Sequence, residues 1–327
     1  MPISRPFPFL FPRCRRAGRA APTASALVLA LALAPCPRAA ALQLTDDTGQ
    51  ELSLPAPAAR IVALSPGITA MLFAAGAGAR IVATVEYADE PAAARRLPRI
   101  GDSTAVDLER LLALHPDVVV AWPGGNSAAQ LARIAALGIP LYRQRLNHLD
   151  DIPPALERLG RLAGTPGPAD AAAAAAAARI SDLRRRYARL MPVRVLLETW
   201  DQPLYTIGGP QLMSDALGVC GARNIFADLP ELSPAVQVEA VLERNPEAIV
   251  AAAPPGAGMS WLAPWRRWPQ LTAVRDGNLL AFEDQGLSRM GPGIIDATAS
   301  LCALLDGARE RLRHGDRAAR ARLPGAR

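Results

Sequence analysis

Two stretches of this chain carry the same pattern in the same phase, and that duplication limits the architectures open to it. Residues Asp107–Ala121 align without a gap with Gln237–Ala251. Each copy reads as a short amphipathic helix, a proline stop (Pro116, Pro246) and an apolar run long enough for a buried strand. A shorter match precedes each copy, Gly78-Ala79-Arg80 against Gly221-Ala222-Arg223. Solenoid repeats recur every ~20–50 residues, and the spacing here is far longer, so the pattern implies two similar lobes. Glu109 and Glu239 then fall at equivalent points on their surfaces. A cleft between two such lobes is suited to close on a ligand.

The chain has 327 residues, half of them apolar, which is enough for two α/β lobes that each bury a core. Its net charge of +6 is carried by the ends, and every basic residue is arginine. Arg5, Arg13, Arg15, Arg16, Arg19 and Arg38 precede residue 42 with no acidic residue among them, so without them the charge is close to zero. Arg309, Arg311, Arg313, Arg317, Arg320, Arg322 and Arg327 crowd the other end. The body between is mildly acidic, and the electrostatic case for a nucleic-acid partner is lost.

Residues 1–41 read as an export signal: a basic stretch to Arg19, an apolar run from Ala24 to Ala34, and small residues Ala39-Ala40-Ala41 for cleavage. The apolar run is shorter than the ~20 residues that span a bilayer, so a cleaved signal is expected over an anchor. Pro35 directly before Cys36 argues against a lipid anchor there. Cleavage removes Cys14 and Cys36 and leaves Cys220 and Cys302. In an exported protein that pair most simply forms one disulfide, two buried thiols being the alternative.

Strands alternate with helices along the body. Arg60–Pro66 reads as a strand entering a tight turn, followed by a helix at 69–75 and strands at 81–84 and 118–121. Asn126 is placed to cap a helix over 127–137, and a strand follows at 138–142. Pro168 to Pro192 encloses an alanine-rich run that reads as a single long helix, a rigid strut rather than a flexible linker. Beyond it, strands are expected at 193–198, 248–252 and 279–282, with helices at 211–217 and 292–305. The expected organisation is an N-terminal segment (42–59), a first lobe (60–166), the inter-lobe helix (167–192), a second lobe (193–307) and a frayed arginine-rich tail (308–327). The fold class is α/β: two Rossmann-like lobes with parallel sheets, joined by one long helix, with the ligand cleft between them at the carboxyl ends of strands.

Residues 61–66, 108–114, 116–126 and 219–226 together resemble the periplasmic cobalamin-binding proteins of ABC importers, which belong to a superfamily of helix-joined two-lobed binders. The likeness covers roughly residues 60 to 306, and the Trp122-Pro123-Gly124-Gly125-Asn126 run is its most specific part. It implies a periplasmic protein that carries cobalamin or another corrinoid as cargo, with no cofactor of its own, to the permease dimer of an inner-membrane ABC importer. On that resemblance, Glu109 and Glu239 match the glutamates that dock onto permease arginines, a pairing that can be bidentate. Tyr87 and Trp122 match ligand-contacting aromatics of the first lobe, and Gly124 brings backbone close to the ligand. Trp200 and Tyr205 match contacts from the second lobe, with register fixed only to within a residue. Asp284, Gln285, Gly286, Leu287, Ser288 and Arg289 match the segment that meets the corrin edge. Cys220 and Cys302 match the family's bonded pair. Ser103, Ser233 and Ala70 depart from the family's two tryptophans and its glutamate, which implies a roomier pocket.

Other classes fare worse. Gly76-Ala77-Gly78 lies after a helix and before a strand, the reverse of a dinucleotide-binding turn, and no serine, cysteine or histidine sits in a nucleophile setting, so no enzyme is expected. With only His115, His148 and His314 in the chain, and Asn245 as the repeat partner of His115, no metal site is expected either. The alternative is a haem or ferric-siderophore binder of the same superfamily, for which Arg143, Arg145 and Arg289 would supply cations.

Overall fold

Each half of the repeat builds the same four-stranded parallel sheet. The computed structural model describes residues 41–321, with side chains to 314; the expected export signal with Cys14 and Cys36, and the last residues of the tail, lie outside the described residues. An antiparallel hairpin, β1 (Leu42–Thr45) and β2 (Glu51–Leu54), leads into β3 (Ile61–Ala63), α1 (Pro66–Ala74), β4 (Ile81–Ala83), α2 (Leu108–Ala113), β5 (Val118–Ala121), α3 (Ala128–Ala136) and β6 (Leu141–Arg143). Helices α4 (Ile152–Ala163) and α5 (Pro166–Tyr187) follow. The second half runs β7 (Val193–Glu198), α6 (Leu212–Val219), β8 (Ala222–Asn224), α7 (Val238–Arg244), β9 (Ala248–Ala252), α8 (Gly258–Leu262), α9 (Thr272–Arg275), β10 (Leu279–Phe282) and α10 (Ile294–Ala321). The sheet orders are β4-β3-β5-β6 and β10-β9-β7-β8. With β3 equivalent to β7, β4 to β8, β5 to β9 and β6 to β10, these are one topology read from opposite ends.

The equivalence extends to single side chains. Ile61 faces Val118 across the ladder, and Val195 faces Ala248. Arg60 and Arg194 are therefore counterparts, and each reaches over the end of the repeat helix. Arg60 donates to the carbonyls of Leu114 (2.6 Å) and His115 (3.2 Å); Arg194 donates to those of Arg244 and Asn245 (2.8 Å). A guanidinium at a helix C-terminus satisfies orphan carbonyls and complements the dipole. His115 and its repeat partner Asn245 share a left-handed backbone, φ 43° and 40°.

The central strands are buried on both faces, as parallel sheets covered by helices must be. Val118 and Val120, like Ala248 and Val250, face the central core that includes α4 and α5. Val119 and Ala121 face an outer cluster of the first lobe, and Ile249 and Ala251 the corresponding cluster of the second. Helix α5 contributes Ala169, Ala173, Ala176 and Ile180 to the central core, one stripe along its 22 residues. At 1.5 Å per residue it reaches about 33 Å. Among the described residues, no helix is long and apolar enough to cross a membrane.

Two local expectations need correction. Ser127, not Asn126, caps α3, its hydroxyl accepting from the Gln130 amide. Asn126 instead ties its own turn together: Oδ1 accepts from the Trp122 amide (2.7 Å), and Nδ2 donates to the Leu64 (2.9 Å) and Ser103 (2.6 Å) carbonyls. The last helix does not stop near Leu305 before a frayed tail. α10 continues to Ala321 and buries Ala308, Arg309 and Leu312. Arg309 holds it in place by donating to the Met191 carbonyl (2.9 Å), the Asp306 carboxylate (2.7 Å) and the Cys220 carbonyl at the end of α6.

Candidate functional site

The carboxyl ends of β3, β5 and β6 and the loop before α10 enclose a cavity of about 280 Å³ between the sheets. Ser65, Pro66, Gly67 and Ile68 close it from the start of α1, Tyr87 and Asp89 from the loop after β4, Trp122 from the end of β5, and Gln144 and Leu146 from the end of β6. Gln285, Ser288, Arg289 and Met290 face them from the second half of the chain. A second chamber, also about 280 Å³, lies beyond Trp122, Leu146 and Met290, which line both; Gly124, Arg145, Asn147 and Gln211 are among its other walls.

Local chemistry shapes these walls. Pro66 opens α1 behind the Ser65 cap, whose hydroxyl accepts from the Ile68 amide at 3.1 Å. A Cβ added at Gly67 would sit 2.2 Å from the Arg289 carbonyl oxygen, so only glycine lets α1 meet the opposing loop backbone. A Cβ at Gly125 would lie 2.0 Å from the Trp122 ring, so that glycine lets the indole fold over its own turn. Across the mouth, Arg289 Nη1 stands 2.6 Å from Glu90 Oε1, an ion pair too bent for a hydrogen bond. Asp89 is engaged by Arg99 at 3.2 Å. The charges at the mouth are thus matched, and the rest of the first chamber's lining is aromatic, aliphatic, hydroxyl or amide.

Of the site residues read from the sequence, the structure brings Tyr87, Trp122, Gln285, Ser288 and Arg289 to the first chamber and Gly124 to the second. Gly286 lines a small side pocket with Tyr87 and Arg289. Asp284 lines none of these cavities; its carboxylate accepts from the Gly286 amide at 2.9 Å and shapes the turn. Leu287 needs correction as a ligand contact, because that turn drives it inward and it is fully buried in the central core. Trp200 and Tyr205 pair their backbones in a loop after β7 and are not among the residues that line either chamber. Trp200 is half-exposed, packs edge-on against Trp261 with centroids 5.8 Å apart, and donates its indole N–H to the Gln202 carbonyl. Arg143 is drawn off to Asp46 at 3.5 Å. Gln144, which the sequence reading passed over between two arginines, is 3% exposed and lines the first chamber. Its one sequence signal is its place directly after a strand, where ligands of parallel sheets sit.

Away from the cleft, Glu109 and Glu239 occupy the first turns of α2 and α7, exposed, where a helix N-terminus favours a carboxylate. Among the described residues neither is held in an ion pair. Cys220, at the end of α6, is bonded to Cys302 in α10, both fully buried. Glu198, at the end of β7, is 2% exposed and accepts from the Trp265 indole at 2.9 Å. Burial pushes its carboxyl up to about 7, against the indole hydrogen bond, and Asp201 adds to the rise. Burial, with the Asp47 carboxylate, also raises the Tyr142 phenol, which accepts from Arg158 at 3.1 Å. Among the described residues, no group of three or more His, Cys, Asp or Glu side chains is arranged to hold a metal ion.

Two lobes of one topology, a long helix between them and a cavity at the facing strand ends define a solute-capturing protein. The family model described as periplasmic binding protein matches residues 61–285, and the chain belongs to that family. It is similar to the vitamin B12-binding protein of Yersinia pestis (strain Pestoides F), 37% identical over 276 residues that cover 84% of this chain and 95% of that one. Among solved structures it resembles the periplasmic vitamin B12-binding protein BtuF of Vibrio cholerae, with TM-score 0.72 and 33% identity over 77% of this chain and 98% of that one. It also resembles the periplasmic haem-binding protein RhuT of Roseiflexus sp. RS-1 in apo form, with TM-score 0.67 and 25% identity over 76% and 98%.

Proposed function

We propose that this protein, exported by a cleaved signal over residues 1–41, captures cobalamin or a related corrinoid in the periplasm. It then delivers that cargo to the permease dimer of an inner-membrane ABC importer. The observation that carries the reading is the make-up of the cleft. Tyr87 and Trp122 offer aromatic faces, Gln144, Gln285, Ser65 and Ser288 offer neutral polar groups, and the cation Arg289 is matched by Glu90. A corrinoid is a broad apolar ring edged with neutral amides and wants aromatic walls with a few hydrogen-bonding groups. The likeness to the Yersinia vitamin B12-binding protein over most of both chains supports the same ligand. Glu109 and Glu239, one on each lobe, are assigned to docking onto permease arginines.

Haem is the second reading. The likeness to the Roseiflexus haem-binding protein favours it, and so does Arg145, exposed at the second chamber, where a carboxylate of haem could meet a cation. Calorimetric titration of the mature protein with cyanocobalamin, haemin and a ferric siderophore in parallel separates the two. One-to-one binding of cyanocobalamin at submicromolar affinity is expected. Silence with cyanocobalamin and saturable binding of an iron ligand would move the protein to the iron branch.

A further inference from the structure

Gln144 is anchored by the sheet: its backbone N–H donates to the Ala121 carbonyl at 2.8 Å, one step beyond the β5–β6 ladder. Its side chain is 3% exposed, lines the first chamber, and leaves Oε1 with no hydrogen-bond partner among the described residues. Buried side-chain oxygens in native proteins are nearly always satisfied, and an unmet one is costly. Of the other polar groups that line the chamber, Ser65 caps α1 and Gln285 donates to the Ala253 carbonyl at 3.4 Å, while Arg289 is ion-paired with Glu90 but its Nη1 likewise makes no hydrogen bond among the described residues.

We infer that Gln144 is a specificity-determining residue of the cleft, exchanging a hydrogen bond with a peripheral carboxamide of the corrinoid. This rests on the corrinoid reading above. A primary amide both donates and accepts, so it matches a ligand edge made of primary amides. A ligand edge made of carboxylates only accepts, and leaves Oε1 unmet. A site built to pair with a particular N–H rejects the analogue that lacks it, because its own buried group is then stranded.

The test is a cycle of binding measurements, with Gln144→Met as the variant and two kinds of probe. The probes are cyanocobalamin and the separate cyanocobalamin derivatives in which one peripheral amide is hydrolysed to a carboxylate. Wild type is expected to bind cyanocobalamin, and Gln144→Met about tenfold more weakly, the equivalent of about 1.4 kcal/mol. The melting midpoint of the unliganded variant is expected to be unchanged or higher, because an unpaired buried polar group has gone. One monocarboxylate is expected to bind wild type about tenfold more weakly yet lose nothing further on Gln144→Met, the non-additivity of two groups in contact. Wild-type affinity in Gln144→Met, or additive losses for every monocarboxylate, would overturn the assignment while leaving the corrinoid reading standing. A variant that loses affinity only in step with its melting midpoint would show a structural role and overturn it too. If wild type fails to bind cyanocobalamin at all, the corrinoid reading falls and takes this inference with it.

Discussion

Glu198 and Tyr87 show how much a single residue here departs from what stability alone would choose. The Glu198 carboxyl is raised from 4.5 to about 7 by burial, so in the folded protein it holds a proton that the unfolded chain releases near pH 4.5. The unfolded state therefore binds fewer protons between those values, and stability falls as pH rises from about 4.5 to about 7, by about 3 kcal/mol in all. Glu198→Gln keeps an acceptor for the Trp265 indole and cannot ionise. Its urea-unfolding stability is expected to exceed wild type by about 3 kcal/mol at pH 8 and to match it at pH 4.5; equal pH slopes for the two proteins would refute the argument. Tyr87 is 77% exposed at φ 63°, a backbone region that bulky residues rarely occupy. Neither packing nor backbone preference accounts for a tyrosine there, whereas the proposed ligand contact would. Tyr87→Ala is expected to change stability by less than about 0.5 kcal/mol and to weaken cyanocobalamin binding about tenfold, read by unfolding and titration on the same preparation. Tyr87 and Trp122 stood out in the sequence through the family resemblance. Gln144 did not, because a glutamine after a strand has no pattern until its burial is seen. Leu287 was misplaced for a related reason: a contiguous motif does not tell which of its residues turn inward.

At the level of elements, the duplicated helix–proline–strand unit was readable because its helix ends, turn and apolar period are all local. It predicted β5 and β9 with their helices, and the shared topology of the sheets follows from it. The short strand β8 (Ala222–Asn224) escaped, since three residues of which Arg223 is exposed carry no periodic signal. The course of α10 escaped for the opposite reason. Its arginines look like a solvated tail by composition, yet Arg309 is 1% exposed and finds its partners 118 and 89 residues away in sequence. Arg309→Ala strands the carbonyls at Met191 and Cys220, and should cost about 3 kcal/mol in urea unfolding. A loss below about 0.5 kcal/mol would mean that the helix is held by Ala308 and Leu312 alone. The disulfide acts on the same pair of elements, tying α6 to α10 across a sequence separation of 82. Removing it with Cys220→Ser and Cys302→Ser together should lower stability by about 4 kcal/mol in the chain-entropy account, and reduction of wild type should give the same shift.

For the whole molecule, the duplication carries a functional consequence that neither lobe has alone. Two sheets of one topology place α2 and α7, with Glu109 and Glu239 in their exposed first turns, at matching positions on the two lobes. In the proposed docking, a permease with two-fold symmetry would present the same cationic contact twice, and a binder with pseudo-two-fold symmetry would meet it with one carboxylate per lobe. The proposed ligand contacts are different residues, on the strand ends and the loop before α10, so docking and capture should be separable. Glu109→Ala and Glu239→Ala should each lower uptake of cyanocobalamin in cells that carry the cognate permease, and the double variant should nearly abolish it. All three proteins should titrate with cyanocobalamin as wild type does. Arginine–carboxylate contacts at a protein interface are charge-assisted and can be bidentate, so losing one should weaken the complex with the permease by about 2–5 kcal/mol, read as a higher dissociation constant. A double variant that transports normally would remove the docking role, and one that loses cyanocobalamin affinity would place these glutamates in the ligand site instead.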